Sequence, residues 1–177
     1  NQDIYFKDAG SFTIPRRKLV TTLSLRDLGS SVITGDITGM KLTTLFLYNI
    51  GSSVITGNIT GMKLTVLLLD NLGSSLTYGT NPLNITSTYG IKLLGDTVFA
   101  TAAEYARLIH DAANATWSGA YPFIIESGTI DNCPDWDEVK ADVATLLTKA
   151  AWTIIPSAWL TTGGGSWPLN WKEYTGE

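Results

Sequence analysis

The chain has 177 residues, of which 44% are hydrophobic and 16% charged, with a net charge of −4. A chain this apolar can bury enough surface to fold as a domain, which excludes disorder, and its acidic balance leaves no cationic surplus for nucleic acid. One cysteine, Cys133, excludes an internal disulfide, and one histidine, His110, leaves no cluster for a transition metal, so we expect no cofactor.

The chain begins Asn1-Gln2-Asp3, without a methionine or an apolar signal region, so we expect a processed or excised product. Low charge with abundant Thr, Ser and Gly is typical of surface proteins and favours an extracellular, cell-surface or virion location. No apolar run reaches the roughly 18 residues of a membrane-spanning helix. Four segments are expected: an N-terminal cap segment (1–18), a repeat solenoid (19–96), helix–strand capping units (97–157) and an aromatic tail (158–177).

An internal repeat dominates the first half of the chain. Gly29 to Lys41 reads GSSVITGDITGMK and Gly51 to Lys63 reads GSSVITGNITGMK, so the two segments differ only at Asp36 against Asn58. A third copy begins at Leu64 and decays from Leu76, and a partial first copy begins at Val20. Self-similarity at a fixed period predicts stacked coils that stabilise one another. The aligned apolar columns are Val20/Leu42/Leu64, Leu23/Leu45/Leu67, Leu25/Leu47/Leu69, Leu28/Ile50/Leu72 and Val32/Val54/Leu76.

Each repeat contains the pattern L-x-x-L-x-L, as at Leu42, Leu45 and Leu47. Its fourth and sixth positions point to the same side of a strand, so stacked copies predict a parallel sheet with leucines inside. A glycine follows each strand and permits a tight turn. The return arms are rich in glycine and β-branched residues and are expected to be extended. These turn glycines are Gly29, Gly51 and Gly73, and the arms close the core with Ile37/Ile59 and Met40/Met62.

These residues resemble the leucine-rich-repeat superfamily over residues 19–80. The resemblance implies an α/β solenoid built on one parallel sheet. The asparagine usual in that consensus is displaced, because Asn49 and Asn71 lie one place earlier and Ile50 and Leu72 take its position.

The second half predicts two helix–strand units that continue and cap the sheet. Thr101 to Ala113 has helical apolar spacing, and a second helix is expected after Pro134, with apolar positions from Val139 to Ala150. Strands are expected at 89–95, 121–125 and 152–155. This texture resembles modules that follow degenerate leucine-rich repeats in surface proteins of Bacteroidetes and in virion proteins of their phages, which implies an adhesion or virion-surface role.

The sequence contains no recognisable catalytic or metal-binding motif, so we expect that the protein is not an enzyme. His110 beside Asp111 is better explained as a surface or capping residue at a helix end than as part of a triad. The glycine run 163–165 is better explained as a flexible tether than as a phosphate loop. The acidic cluster lacks the spacing of a calcium loop and fits a helix start. The acidic cluster comprises Asp131, Asp135, Asp137 and Glu138. Sequons for N-glycosylation occur at Asn58, Asn84 and Asn114, and they matter only if the chain passes through a glycosylating pathway.

The candidate binding surface is the set of strand positions that point away from the core. These positions vary between repeats while the core positions are almost invariant, which is what a presentation surface needs. Aromatic and arginine side chains are enriched at interaction hot spots. The alternatives are packing against a neighbouring subunit or against the N-terminal segment 4–6. The predicted binding residues are Ser24, Arg26, Phe46, Tyr48, Leu68 and Asp70.

The tail carries Trp159, Trp167, Trp171 and Tyr174. They are interpreted as a strap that seals the end of the solenoid, with sugar stacking as the alternative. Together the patterns predict a non-enzymatic repeat module that binds a protein or glycan on a cell surface, or further copies of itself, within a larger assembly. The alternatives are a purely structural subunit of a fibre or shell and a glycan-active enzyme, which needs two carboxylates about 5–9 Å apart in a cleft.

Overall fold

A computed structural model describes residues 2–6, 10–15, 19–72, 75–79, 83–96 and 98–173. Most of the strands of this α/β fold lie in two parallel sheets, and two helices follow in the second half. The elements are β1 (Gln2–Phe6), β2 (Phe12–Thr13), β3 (Val20–Arg26), β4 (Ile33–Asp36), β5 (Thr44–Tyr48), β6 (Val54–Asn58), β7 (Val66–Asp70), β8 (Leu76–Thr77), β9 (Ser87–Thr88), β10 (Ile91–Leu94), α1 (Ala102–Asn114), β11 (Thr116–Trp117), β12 (Phe123–Ile125), α2 (Trp136–Lys149) and β13 (Thr153–Ile154).

The main sheet has seven parallel strands in the order β1-β3-β5-β7-β10-β12-β13. A second parallel sheet, β2-β4-β6-β8, is formed by the return arms of the first four coils. The chain is therefore a solenoid, as the repeats predict, and each of these coils contributes one strand to each sheet. In the later coils α1 and α2 follow β10 and β12 in place of a return strand and pack against each other.

The core lies between the two sheets and continues under the helices. Four of the predicted apolar columns are buried throughout except at Leu72, which is half-buried, and the return-arm isoleucines and methionines close the core. The fifth column is wrong. Val54 is 53% exposed and Val32 half-buried, because Ile33 and Ile55 take the inward positions and neighbouring strand residues point to opposite faces. Leu76 is buried, but it is paired with Gly57, which is 19 residues earlier in the chain. A 22-residue spacing would have paired Leu76 with Val54.

A ladder of threonines ties successive coils together beside the main sheet. The Thr43 hydroxyl donates to the Thr21 carbonyl 22 residues earlier at 3.2 Å, and the Thr65 hydroxyl donates to the Thr43 carbonyl at 3.1 Å. Thr88 continues the ladder by donating to the Thr65 carbonyl at 3.3 Å. Each threonine thus adds a second hydrogen bond to a carbonyl of the preceding coil that already accepts a backbone N–H.

The turns after the main strands use two kinds of left-handed residue. Asp27, Asn49 and Asn71 have φ between 48° and 54°, a conformation that Asn and Asp tolerate better than most side chains. The Asn49 amide donates to the Asp27 carboxylate at 3.2 Å, so the displaced asparagine forms a rung between neighbouring turns. Gly51 also has a positive φ, of 59°, as Gly29 does, whereas the predicted turn glycine Gly73 lies outside the described residues.

A buried polar cluster joins the solenoid to α1. The Asp111 carboxylate is fully buried. It accepts hydrogen bonds from the Tyr78 hydroxyl at 2.9 Å and from the backbone N–H of Asn84 at 2.8 Å, and it forms an ion pair with the Arg107 guanidinium at 2.7 Å. Burial and the adjacent Asp111 charge raise the pKa of Tyr78 well above its usual value, so the phenol stays protonated. Glu104, in the capping box of Thr101, also accepts from the Tyr78 amide. These hydrogen bonds hold α1 against the part of the solenoid that contains Tyr78 and Asn84.

The tail packs against the core as the strap interpretation predicts. Trp159 and Trp167 are fully buried and Trp171 nearly so, and the Trp167 indole donates to the Pro134 carbonyl at 3.0 Å. Ring contacts run from Tyr105 to Trp159 at 5.2 Å and on to Trp167 at 5.6 Å. Tyr174 lies outside the described residues.

The glycine run before Trp167 is a packed turn, so the flexible tether predicted for it is wrong. Gly164 has a φ of 93° and ends a short 3-10 helix, Thr161–Gly163. A side chain at Gly165 would collide with the Trp159 backbone, so this glycine allows close approach.

Candidate functional site

The six predicted binding residues lie together on the outer face of the main sheet. The register pairs Ser24 with Phe46 and Arg26 with Tyr48, and Phe46 in turn with Leu68. Asp70 ends β7 two residues after Leu68, which places it on the same outward side. The outward columns that the repeat alignment predicts are therefore confirmed as positions.

Aromatic rings occupy the middle strand of this surface. Phe46 is half-buried and Tyr48 is 40% exposed, and their ring centroids are 6.4 Å apart at an angle of 55°. Leu68 lies beside Phe46 on β7 and is half-buried. Side chains that leave large apolar atoms in contact with water on a rigid strand are suited to desolvation by a partner.

Opposite charges flank the rings on either side. Arg26 is exposed on β3 and Asp70 half-buried on β7, with the β5 strand between them. Among the described residues neither forms an ion pair; those present are Arg107–Asp111, His110–Asp142 and Lys140–Asp137. Partial burial raises the pKa of Asp70 above its usual value, because a desolvated carboxylate loses part of its hydration.

The N-terminal segment does not cover this face. Residues 4–6 belong to β1, which pairs in parallel with β3 and lies at the edge of the sheet. Tyr5 is aligned with Ser24 and is 67% exposed, so the segment extends the surface instead of burying it. The segment therefore contacts the patch only at its β3 side, where Tyr5 and Phe6 line a hollow with Ser24 and Arg26, and it does not cover the aromatic rings of β5.

The structure extends the surface beyond the predicted residues. The column that holds Phe46 and Leu68 continues through Lys92, Ile124 and Ile154, all half-buried. The repeat alignment missed them because the coils lengthen after β7 and the 22-residue period no longer applies. The sequence carries a partial signal, because Lys92 and Ile124 each lie between two apolar residues of a short strand.

Exposed aromatic rings follow one rim of the extended surface. Tyr89 and Tyr121 meet edge to face with centroids 6.0 Å apart, and they line a hollow of about 170 Å³ with Leu68 and Lys92. Trp152, 57% exposed, directly precedes β13, as Tyr89 and Tyr121 lie two residues before β10 and β12. The tail tryptophans are buried, so exposed aromatic surface lies here and not in the described part of the tail.

Chemistry-bearing residues elsewhere form surface contacts or helix caps. A groove of about 390 Å³ between α1 and α2 contains His110, whose imidazole lies 3.0 Å from the Asp142 carboxylate. His110 lies within α1, one turn before its end at Asn114. Asp135 caps α2 by accepting from the Asp137 amide at 2.8 Å, as predicted for the acidic cluster.

Other candidate sites are closed or absent in the part of the chain that the structure describes. The sequon residue Asn84 is fully buried and donates to the Tyr78 carbonyl at 2.6 Å. Within the described residues no three His, Cys, Asp or Glu side chains gather as a metal site would require. No described helix is long and apolar enough to cross a membrane.

The sequence matches no protein-family model, and comparison with curated proteins and with solved structures gives no significant similarity.

Proposed function

We propose that this chain is a non-enzymatic repeat module of leucine-rich-repeat type that presents the outer face of its main sheet to a protein partner. The sequence resemblance to surface and virion proteins of Bacteroidetes and their phages supports an extracellular, cell-surface or virion location. The observation that carries the proposal is the position of Phe46 and Tyr48, two aromatic rings held on the outside of a rigid parallel sheet.

The contrast between the two sides of the sheet supports this function. On the inner side Leu23, Leu45 and Leu67 are the same residue in three successive coils, and all are buried. On the outer side the aligned residues Ser24, Phe46 and Leu68 differ in every coil. Packing explains the constant inner leucines, but it does not require large apolar residues on the outer side.

A structural subunit of a fibre or shell is the second candidate. The observation that favours it is the unpaired edge of β1, which ends the main sheet and offers backbone groups to another strand. A glycan-active enzyme has less support, because it would need two carboxylates about 5–9 Å apart in a cleft. Asp3 on β1 and Asp70 on β7 are separated by β3 and β5, so three strand spacings of about 4.8 Å hold these two outer-face carboxylates farther apart than that.

A photo-crosslinking amino acid in place of Phe46 tests the proposed surface. The matched control carries the same amino acid in place of Val54, which is 53% exposed on the second sheet. In extract from the cells that produce the protein, position 46 is expected to form protein adducts and position 54 is not. Excess unlabelled wild-type chain should suppress adducts with any other protein, whereas adducts with a second copy of the chain should persist because the added chain is then itself the target.

A double variant with Phe46→Ser and Tyr48→Ala serves as the specificity control for that competition. It keeps every buried leucine and is expected to retain the circular dichroism spectrum, yet it should fail to compete. The proposal is wrong if positions 46 and 54 label equally, or if the double variant competes as well as the wild-type chain.

A further inference from the structure

The charges on either side of Tyr48 identify the partner that this surface fits. We propose that the outer face of the main sheet docks onto the same face of a second copy of the chain, in a two-fold dimer whose axis runs along β5. This inference rests on the proposed binding surface and specifies its occupant.

The two-fold operation explains the order of the charges. An axis that lies between two stacked sheets and runs along β5 exchanges the positions of β3 and β7. Arg26 of one copy then lies opposite the partner's Asp70, and Asp70 lies opposite the partner's Arg26, because the two residues are on the strands flanking β5. Such an interface is isologous, so one favourable pair implies the second.

The uncharged residues of the surface are compatible with the same axis. Ser24 and Leu68 are aligned on either side of Phe46, so the small hydroxyl of β3 would face the partner's leucine of β7. Thr22 would face the partner's Val66 in the same way. On the axis itself Phe46 and Tyr48 would each face the same residue of the partner, and aromatic rings make favourable offset or edge-to-face contacts.

The charges also supply a reason for association. Neither Arg26 nor Asp70 has an ion-pair partner among the described residues of its own chain, and Asp70 is already partly desolvated. A partner that brought no opposite charge would bury both without compensation, which is costly. A second copy brings both charges in the required order.

The available area predicts a weak dimer. Because β5 is the third of the seven strands, an axis along it lets the five strands from β1 to β10 overlap with those of the partner. Five strands about 4.8 Å apart and about 17 Å long give roughly 400 Å² per copy, or about 800 Å² in total, which is below the range of stable specific interfaces and typical of weak association. Association is therefore expected to depend on concentration and on ionic strength.

Charge exchange tests the geometry of this dimer. Arg26→Asp and Asp70→Arg each place like charges opposite one another at both pairs, so each variant alone is expected to dimerise about tenfold or more weakly than the wild-type chain. An equimolar mixture of the two variants should form a heterodimer, because every opposed pair is again of opposite sign. The double variant Arg26→Asp/Asp70→Arg should dimerise as well.

Sedimentation equilibrium of the full chain, over a concentration series at low and at physiological salt, measures these outcomes. Lys41→Glu is the control for charge reversal, since Lys41 is exposed on the strand-preceding segment and not on the outer face. The dimer is overturned if the wild-type chain stays monomeric throughout, or if the mixture associates no better than the single variants.

That failure would be distinct from failure of the proposed function. Protein adducts at position 46 together with a monomeric wild-type chain would retain the binding surface and reject the second copy as its occupant. Equal labelling at positions 46 and 54 would reject the surface itself.

Discussion

At the scale of single residues, the fold depends on which side of a strand each side chain faces. Val54 and Ile55 are neighbours of similar size and chemistry, yet Val54 is exposed and Ile55 buried. The sequence offers two β-branched residues in a row there, so alternation alone does not decide which of them faces inward. In the main strands a polar or variable residue separates the leucines, and the inward side could be predicted correctly.

Leu47→Ala is expected to lower the free energy of unfolding by about 2–5 kcal/mol, because it removes a fully buried side chain and leaves a cavity. The matched control is Val54→Ala, which removes exposed atoms and should change stability by less than about 1 kcal/mol. Urea unfolding followed by circular dichroism measures both. Equal losses for the two variants would contradict the inward and outward assignment of these strands.

At the scale of elements, the return arm changes from a strand to a helix once the coils lengthen. Paired positions in the first repeats are 22 residues apart, which leaves room only for a short return strand. Ile91 and Phe123 are also paired but are 32 residues apart, which is enough to include α1. The helices could be predicted from their apolar spacing, and so could the strands they connect. The cluster around Asp111 could not, because it joins residues such as Tyr78 that are 33 positions apart.

The composition of the tail likewise does not decide which role the tail has. Tryptophans in a segment rich in glycine and proline are compatible with an exposed platform or with a packed strap. What decides between them is a three-dimensional contact, the Trp167 indole on the Pro134 carbonyl with the neighbouring Trp136 ring 5.0 Å away. Gly165 permits that contact by allowing the backbone of Trp159 to come close.

Trp167→Ala is expected to destabilise the chain by about 3–5 kcal/mol, because it empties the centre of the tryptophan cluster and leaves the Pro134 carbonyl without its indole donor. Trp152→Ala removes a tryptophan of the same size that is 57% exposed, and it should change stability by about 0.5 kcal/mol or less. Thermal unfolding by calorimetry compares them. If the two variants melt together, the tail does not seal the core.

At the scale of the whole molecule, stability arises between coils more than within them. One coil cannot bury its own apolar side, and the threonine ladder connects each coil only to the next. The solenoid architecture could therefore be predicted from the repeat alone, together with the leucine core and the six residues of the outer face. The extension of that face to Ile124 and Ile154 depends on strands that share no sequence period with the repeats.

Removal of residues 42–63 is expected to leave a folded chain that is less stable than the wild type. The deletion joins Lys41 to Leu64, restores the sequence of a repeat boundary and brings β3 beside β7 in register. Deletion of residues 42–52, half that length, should prevent folding because it breaks the period. Circular dichroism and urea unfolding distinguish the two. Loss of the fold in both would show that the coils are not interchangeable.

The near identity of the return arms also bears on how such a chain changes over generations. Two segments that differ only at Asp36 against Asn58 invite misaligned recombination, and each event adds or removes one whole coil without disturbing the stacking of its neighbours. Because most outward residues differ from coil to coil, a change in coil number moves Arg26 relative to Asp70 and alters which surface is offered. Descendants of this gene are therefore expected to differ by multiples of 22 residues in this region, with length itself acting as a determinant of partner choice.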